Sequence, residues 1–277
     1  MILNIEKCAV HYQEIGNGVP ILIIHGWDSN ADFMFNRWES AINWPDNYRR
    51  IYIDLPGHGR TQLSDDVQSA DDMLRIIKGF TEKLFVQERY LVLGLSFGAY
   101  IGRGLIYSEA ERIDGICMLV PLIIADETKR SLVPLEVFED NSSLSNLFME
   151  EYQIIYELLT VRNDQTLNEW KRYNEIVDKA PGDTAFREEM RADPYRYALS
   201  HNVDKLKIPY DKPTLIITGR QDNKVGYKDA WAILDNYPRA TFVVLDRTGH
   251  LMENQDETIA QLILDWLFRV DKARKFS

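Results

Sequence analysis

Residues 90–98 read Tyr90-Leu91-Val92-Leu93-Gly94-Leu95-Ser96-Phe97-Gly98, and residues 99–108 continue with helical character. An apolar run of strand character thus meets a Gly-x-Ser-x-Gly turn, and the turn leads directly into a helix. On its own this pattern also describes a tight turn holding a buried serine; the strand–turn–helix setting gives it chemical meaning. A serine on so sharp a turn has a strained backbone, and the flanking glycines remove Cβ atoms that would collide there. Its hydroxyl then stands at the mouth of a sheet. Beside it, the N–H of Phe97 at the helix start points to where an oxyanion would form.

Further apolar runs of the same kind lie at 20–24, 50–54, 113–120, 214–218 and 241–245. Such continuous runs suit strands buried on both faces. Between them, 71–85, 227–236 and 257–270 carry apolar residues at helical spacing. Strands alternating with helices predict an α/β fold, a mostly parallel sheet covered on both faces. Two short alternating runs at the start, 2–6 and 9–14, predict an antiparallel hairpin. The alternation stops between Ile124 and Pro209. There 144–159, 167–177, 184–190 and 194–199 read as helices with no strand among them, so an all-helical insertion is expected between two strands of one sheet. The predicted organisation is a core of residues 1–123 and 208–277 carrying a helical cap of residues 124–207.

Composition narrows the function classes. Six Trp, fourteen Tyr and eleven Phe within 45% apolar residues exclude global disorder. A net charge of −11 without a basic cluster disfavours nucleic acid and anionic membrane surfaces as partners. No run approaches the ~20 apolar residues of a spanning helix and no signal segment opens the chain. Cys8 and Cys117 both sit in strand-like stretches and read as buried free thiols, so a cytoplasmic location is expected. No His/Cys/Asp cluster carries ligand spacing, and neither metal nor cofactor is expected.

Ser96 needs a base, and five histidines are available. His11 falls at an exposed position of the hairpin, His201 among polar residues, and His58 in the turn Asp54-Leu55-Pro56-Gly57-His58-Gly59. His25 ends a strand and reads as a brace for the loop after it. His250, in Thr248-Gly249-His250, follows the strand 241–245. A parallel sheet collects the C-terminal ends of its strands on one rim, so Ser96 and His250 meet there. Asp222, in Gly219-Arg220-Gln221-Asp222, reaches the same rim after the strand 214–218. A carboxylate at that place fixes the imidazole tautomer, and the order Ser, Asp, His suits this topology. Asp126 and Glu127, after the strand 113–120, are rival candidates for the acid. The second oxyanion donor is expected from His25-Gly26-Trp27-Asp28, as the N–H of Trp27.

With these motifs the chain resembles the α/β-hydrolase superfamily over nearly its whole length. The matching segments are His25-Gly26-Trp27, Asp54-Leu55-Pro56-Gly57-His58-Gly59, Gly94-Leu95-Ser96-Phe97-Gly98, Gly219-Arg220-Gln221-Asp222 and Gly249-His250. The resemblance implies eight strands with the cap between the sixth and seventh. It is strongest to small bacterial serine hydrolases with a helical cap, which include carboxylesterases, carbon–carbon bond hydrolases and the pimeloyl-ester esterase of biotin synthesis. Ser96 sets the chain apart from the epoxide hydrolases and haloalkane dehalogenases, which use an aspartate nucleophile. The oxyanion loop here, Trp27-Asp28-Ser29-Asn30, is not the glycine-rich loop usual in the carbon–carbon hydrolases, and Leu251 stands where they often carry Trp. The expected activity is hydrolysis of an ester-like bond in a small, largely apolar molecule. The alternatives are carbon–carbon cleavage of a vinylogous diketone, perhydrolase or acyltransferase chemistry on the same triad, and a ligand-binding protein without turnover. Phe138, Phe148, Tyr152 and Tyr156 are the cap residues expected to roof the pocket, with Leu147 and Trp170 holding cap helices together.

Overall fold

The apolar runs assemble into one eight-stranded sheet. In the computed structural model, which describes residues 1–275, β1 (Ile2–Ile5) and β2 (Cys8–Gly16) form the antiparallel hairpin. β3 (Val19–Ile24), β4 (Tyr48–Ile53), β5 (Tyr90–Leu95), β6 (Ile113–Leu119) and, after the insertion, β9 (Thr214–Gly219) and β10 (Ala240–Leu245) run parallel to one another. The spatial order is β1-β2-β4-β3-β5-β6-β9-β10. Every residue of β5, β6 and β9 is buried, as continuous apolar runs require, whereas β2 alternates buried and partly exposed positions near one edge.

Register sets the working rim. Ile24 pairs with Gly94, Leu95 with Leu119, Leu119 with Ile217, and Gly219 with Leu245. The C-terminal ends of β3, β5, β6, β9 and β10 therefore finish level, and the loops leaving them emerge side by side.

Helices cover both faces. Neighbouring strand residues point to opposite sides: a Cβ on Gly115 would meet Trp266 and Val270 of α10 (Asp256–Arg274), while Ile116 lies against Gly102 of α3 (Phe97–Glu109). α2 (Ala70–Phe85) packs beside α3. α1 (Ala31–Ala41) packs with α10 and over β3 and β4. The sequence reading did not find α1. Asn30 caps it, accepting from the Phe33 N–H at 2.9 Å, and its buried stripe runs Phe33, Met34, Arg37, Trp38. A buried arginine in mid-stripe hides that amphipathic pattern. The single helix expected over 227–236 is a five-residue α9 (Lys228–Ala232) followed by a 3-10 turn, Leu234–Asn236.

Between β6 and β9 lie the short α4 (Ser145–Glu151) and α5 (Gln153–Tyr156), then α6 (Asp164–Asp178), α7 (Thr184–Ala192) and α8 (Pro194–Tyr197). Two corrections apply here. The helix read over 144–159 is broken at Tyr152, whose φ −132°, ψ 38° leaves the helical region. And two residues of β7 (Glu139–Asp140) pair in parallel with two of β8 (Val161–Arg162), too short a ladder to show periodicity. Phe148, Trp170, Tyr173 and Phe186 of this insertion belong to the same buried cluster as the sheet residues.

Candidate active site

The turn after β5 is built by close approach. Ser96 adopts φ 50°, ψ −110°, a region that costs a non-glycine residue about 1–3 kcal/mol. Backbone bonds hold it there: its N–H donates to the Leu119 carbonyl at 2.8 Å, and its carbonyl accepts from Ala99, Tyr100 and Leu122 at 3.1–3.2 Å. On either side only glycine fits. A Cβ on Gly98 would collide with the Ile24 carbonyl, and one on Gly94 would stand 2.5 Å from the Ala99 nitrogen. The helix begins at Phe97 rather than at 99, so the Phe97 N–H belongs to its first turn.

Two further loops of the rim bring His250 and Asp222 to this serine. Gln221 N–H donates to the Thr248 carbonyl at 2.9 Å and Thr248 N–H to the Gln221 side chain at 3.0 Å, which locks the two loops together. His250 Nδ1 lies 2.9 Å from Asp222 Oδ2, and His250 Nε2 lies 3.1 Å from Ser96 Oγ. With Nδ1–H donating to the carboxylate, Nε2 is left to accept the serine proton. Asp222 is fully buried, and its Oδ1 accepts from the Lys224 and Val225 N–H groups at 2.8 and 2.9 Å. Burial pushes its carboxyl up, but the His250 charge and hydrogen bond and the two N–H donors outweigh it and hold the carboxyl below the usual 3.8. The rivals stand elsewhere: Asp126 pairs with Lys129 at 2.9 Å and Glu127 with Lys224 at 3.3 Å. Neither bonds to His250.

The other histidines sort by burial. His25 accepts the Leu55 N–H at Nε2 (3.0 Å) and donates from Nδ1 to the Gly26 carbonyl (2.7 Å), bracing the loop as expected. Burial lowers the pKa of both His25 and His58. His11 is not at an exposed position: it is largely buried and bonds Asp54 at 2.7 Å, because β2 continues past it into the sheet. His201 is exposed.

Among the described residues neither the Trp27 nor the Phe97 N–H has an acceptor. Their side chains touch, ring centroids 4.7 Å apart, and Tyr197 at the end of α8 closes the triangle at 4.8 Å from Trp27 and 5.0 Å from Phe97.

Ser96 and His250 open into a cavity of about 170 Å³. Its apolar wall is Phe33, Leu122, Ile155, Leu158, Trp170 and Val177, with the exposed Ile154 at its mouth. None of Phe138, Phe148, Tyr152 or Tyr156 lines it. The break at Tyr152 rotates the following turn, so Ile154, Ile155 and Leu158 face the cavity. Phe148 and Tyr156 are buried elsewhere in the insertion; Tyr156 bonds Asp140 at 2.8 Å, and Phe138 lies under Arg247. Trp170, expected only to join helices, faces the cavity.

Charged groups at the cavity are each matched. Asp28 pairs with Arg187 and Arg191, and Glu127 with Arg130, Arg191 and Lys224, at 3.1–3.4 Å. Arg37, 2% exposed, bonds Asp256 at 2.7 Å and the Leu251 and Met252 carbonyls at 3.0 and 2.9 Å. It thereby fixes the chain directly after His250.

A serine, imidazole and carboxylate in this relay, with unpaired N–H groups nearby, can carry out nucleophilic attack on a carbonyl. Known proteins similar to the chain are named as hydrolases. The chain is 25% identical over 270 residues to human monoacylglycerol lipase ABHD6, covering 92% of this chain and 77% of that one. It is 24% identical over 276 residues to 2-hydroxy-6-oxo-6-(2'-aminophenyl)hexa-2,4-dienoic acid hydrolase of Metapseudomonas resinovorans, covering 96% and 90%. An alpha/beta superfamily hydrolase of known structure from Oenococcus oeni superposes with TM-score 0.82 at 25% identity, covering 95% of this chain and 96% of that one. The sequence model of the Alpha/beta hydrolase family matches residues 21–262, running from β3 through the insertion into α10. A match of that extent, on an eight-stranded sheet of this order, makes the chain a member of the alpha/beta hydrolase family and a hydrolase of that fold.

Proposed function

We propose that this hydrolase cleaves an ester-like bond of a small, uncharged, largely apolar substrate through an acyl-enzyme. Ser96 Oγ attacks the carbonyl carbon as His250 Nε2 takes its proton, and Asp222 stabilises the imidazolium. The tetrahedral oxyanion lies between the N–H groups of Phe97 and Trp27, whose preorganised dipoles supply a few kcal/mol each in a dry site. His250 then gives its proton to the leaving alkoxide. Water, deprotonated by the same imidazole, attacks the acyl carbon and releases the acid.

The observation that carries this reading is the relay of Asp222, His250 and Ser96 at 2.9 and 3.1 Å, at the base of a mainly apolar cavity. Carbon–carbon cleavage runs on the same three residues, and the relative from Metapseudomonas resinovorans is named for an acid. The cations on this cavity are each held by a carboxylate or by backbone carbonyls, which favours an uncharged ester.

The test is labelling by a fluorophosphonate probe together with hydrolysis of p-nitrophenyl esters graded by acyl length. Each buried methylene is worth about 0.8 kcal/mol, about fourfold in kcat/KM. Labelling at Ser96 is expected, with kcat/KM rising from acetyl to butyryl or hexanoyl and then falling where the cavity closes. Absence of both labelling and ester hydrolysis would overturn the proposal, and cleavage of a vinylogous diketone in their place would establish the carbon–carbon reading.

A further inference from the structure

Glu253 carries a buried carboxyl group that the triad does not use. It stands three residues after His250 and is 2% exposed. Among the described residues its side chain bonds Thr160 alone. Oε1 accepts the Thr160 N–H at 2.5 Å and the Thr160 hydroxyl at 2.6 Å, while Oε2 is shielded and without a partner. A buried carboxyl group bonded only to an uncharged residue is costly, and an apolar side chain would fill the space at lower cost. Packing alone does not account for it. Its one partner, Thr160, belongs to the insertion.

The stretch 158–160 meets the His250 loop in two more places. The Thr160 hydroxyl lies 3.0 Å from the Arg247 carbonyl, and a Cβ on Gly249 would stand 2.6 Å from the Leu158 carbonyl. Contacts at 247, 249 and 253 thus bracket His250. The bracketed loop is strained: Arg247 and Met252 adopt φ 51° and 53°, and Asn254 directly after it 58°. Non-glycine residues stay in that left-handed region only where surrounding contacts hold them. Thr160 is a firm anchor for the purpose. It is fully buried, its carbonyl accepts the Phe138 N–H at 2.7 Å, and β8 begins at the next residue. Asn254 adds a second tie, donating from Nδ2 to the Thr166 hydroxyl at 3.0 Å near the start of α6.

We infer that Thr160 and Glu253 are positioning residues for His250: their hydrogen bonds hold the strained loop in the form that leaves Nε2 3.1 Å from Ser96 Oγ. Neither touches the reacting atoms. Arg37 grips the Leu251 and Met252 carbonyls of the same loop from the core, and Thr160 grips it from the insertion. Ser96 owes its place to the turn after β5 and Asp222 to the loop after β9, so the tie bears on the base alone. Without it the left-handed residues can relax and the imidazole loses its alignment. A misplacement of about 1 Å at a reacting group costs about 10²-fold in rate. The assignment rests on the acyl-enzyme reading, in which His250 is the base.

The experiment measures kcat and KM for p-nitrophenyl butyrate, the rate of Ser96 labelling by a fluorophosphonate probe, and the melting midpoint. Glu253→Met removes the acceptor and Thr160→Val the hydroxyl, whereas Glu253→Gln and Thr160→Ser keep each bond. Glu253→Met is expected to lower kcat and the labelling rate together by about 10- to 100-fold, with KM within about threefold of wild type. Thr160→Val, which retains its N–H bond, is expected to lower both by about fivefold to tenfold. Glu253→Gln and Thr160→Ser should stay within about threefold of wild type. A lowered melting midpoint with unchanged kcat and labelling in Glu253→Met and Thr160→Val would make the tie purely structural and overturn the assignment. So would an equal loss in Glu253→Gln, which removes only the charge. If Glu253→Met does not fold, Thr160→Val against Thr160→Ser decides by the same readouts. Labelling needs no ester substrate. A labelled wild type that turns over no ester overturns the ester reading alone, and the labelling rates of the variants still uphold or overturn the positioning role. An unlabelled wild type overturns both.

Discussion

The sheet and the insertion hold their contributions to the site in different ways. In the sheet, position follows from backbone register: Ile24, Gly94, Leu119 and Gly219 are placed by ladder hydrogen bonds, and the loops bearing Trp27, Ser96, Asp222 and His250 inherit that alignment. The insertion has no comparable ladder. Its residues reach the core mostly through side chains: Arg187 to the Gly57 carbonyl and Asp28, Arg191 to Asp28, Asn30 to the end of α6, and Thr160 to Glu253, beside one backbone bond from the Asp183 N–H to the Gly57 carbonyl at 3.0 Å. Backbone register tolerates most side-chain changes, whereas a side-chain tie is lost with one substitution. Chemistry built on the first and selectivity built on the second can change independently.

The largest expected effect lies on the sheet side. Ser96→Ala is expected to lower ester hydrolysis by about 10⁴-fold or more with an unchanged circular dichroism spectrum, because loss of the nucleophile removes the covalent route. Residual activity above a tenth of wild type in a pure preparation would place the chemistry elsewhere.

Asp222→Asn should follow closely, down about 10³- to 10⁴-fold, with Asp126→Asn near wild type; the reverse result would move the acid to the end of β6. The same variant tests linkage. Because the folded carboxyl is held below its usual 3.8, its ionised form stabilises the fold fully above that value and loses this contribution as pH falls through the lower, folded value. Wild-type stability relative to Asp222→Asn is expected to be flat above pH 3.8 and to fall below it, measured by urea unfolding at each pH. A difference that grew on acidification would refute the sign.

Arg37→Met tests a buried tie within the core. Asp256 is 26% exposed, so the charge left behind is partly solvated and losing the pair costs about 1.5–3 kcal/mol, and here the Leu251 and Met252 carbonyls also lose their donor. A fall in stability of that order, with a lowered kcat from a displaced His250, is the expected outcome of equilibrium unfolding and kinetics.

The smallest effect belongs to the insertion. Arg191 and Asp28 are 34% and 56% exposed, and ion pairs of that kind contribute about 0–1 kcal/mol. Arg191→Gln should leave global stability almost unchanged while altering KM and its salt dependence. A stability loss as large as that of Arg37→Met would erase the contrast between the two regions.

The same contrast governs what could be read from the sequence. Continuous apolar runs made β3 to β6, β9 and β10 legible within a few residues, but the burial on both faces that such a run announces fails for β10, which lies at the sheet edge with only Leu245 buried. That Ser96, Asp222 and His250 meet was legible because each lies in the loop that leaves the C-terminal end of such a strand. α1 was not, since Arg37 occupies its buried stripe and is satisfied only by Asp256 and by carbonyls more than 200 residues away in the chain. The cavity lining was misread for a phase reason: helical spacing carried unbroken through Tyr152 selects Phe148 and Tyr156, and the break hands the cavity to Ile155 and Leu158. Trp170 was assigned to helix packing because its spacing does not reveal that α6 meets α1 beside the oxyanion loop.

The triangle of rings formed by Trp27, Phe97 and Tyr197 has a mechanical consequence. In the proposed mechanism two N–H groups receive a transient charge and must be held at a fixed separation, yet tethering them by hydrogen bonds would occupy the very hydrogens required. Here the side chains of the same two residues are in aromatic contact instead, ring centroids 4.7 Å apart. Packed interiors are nearly incompressible, so the rings act as a spacer whose thickness hardly varies, and both hydrogens stay available. The third ring comes from α8, so the gauge is completed only when the insertion is seated.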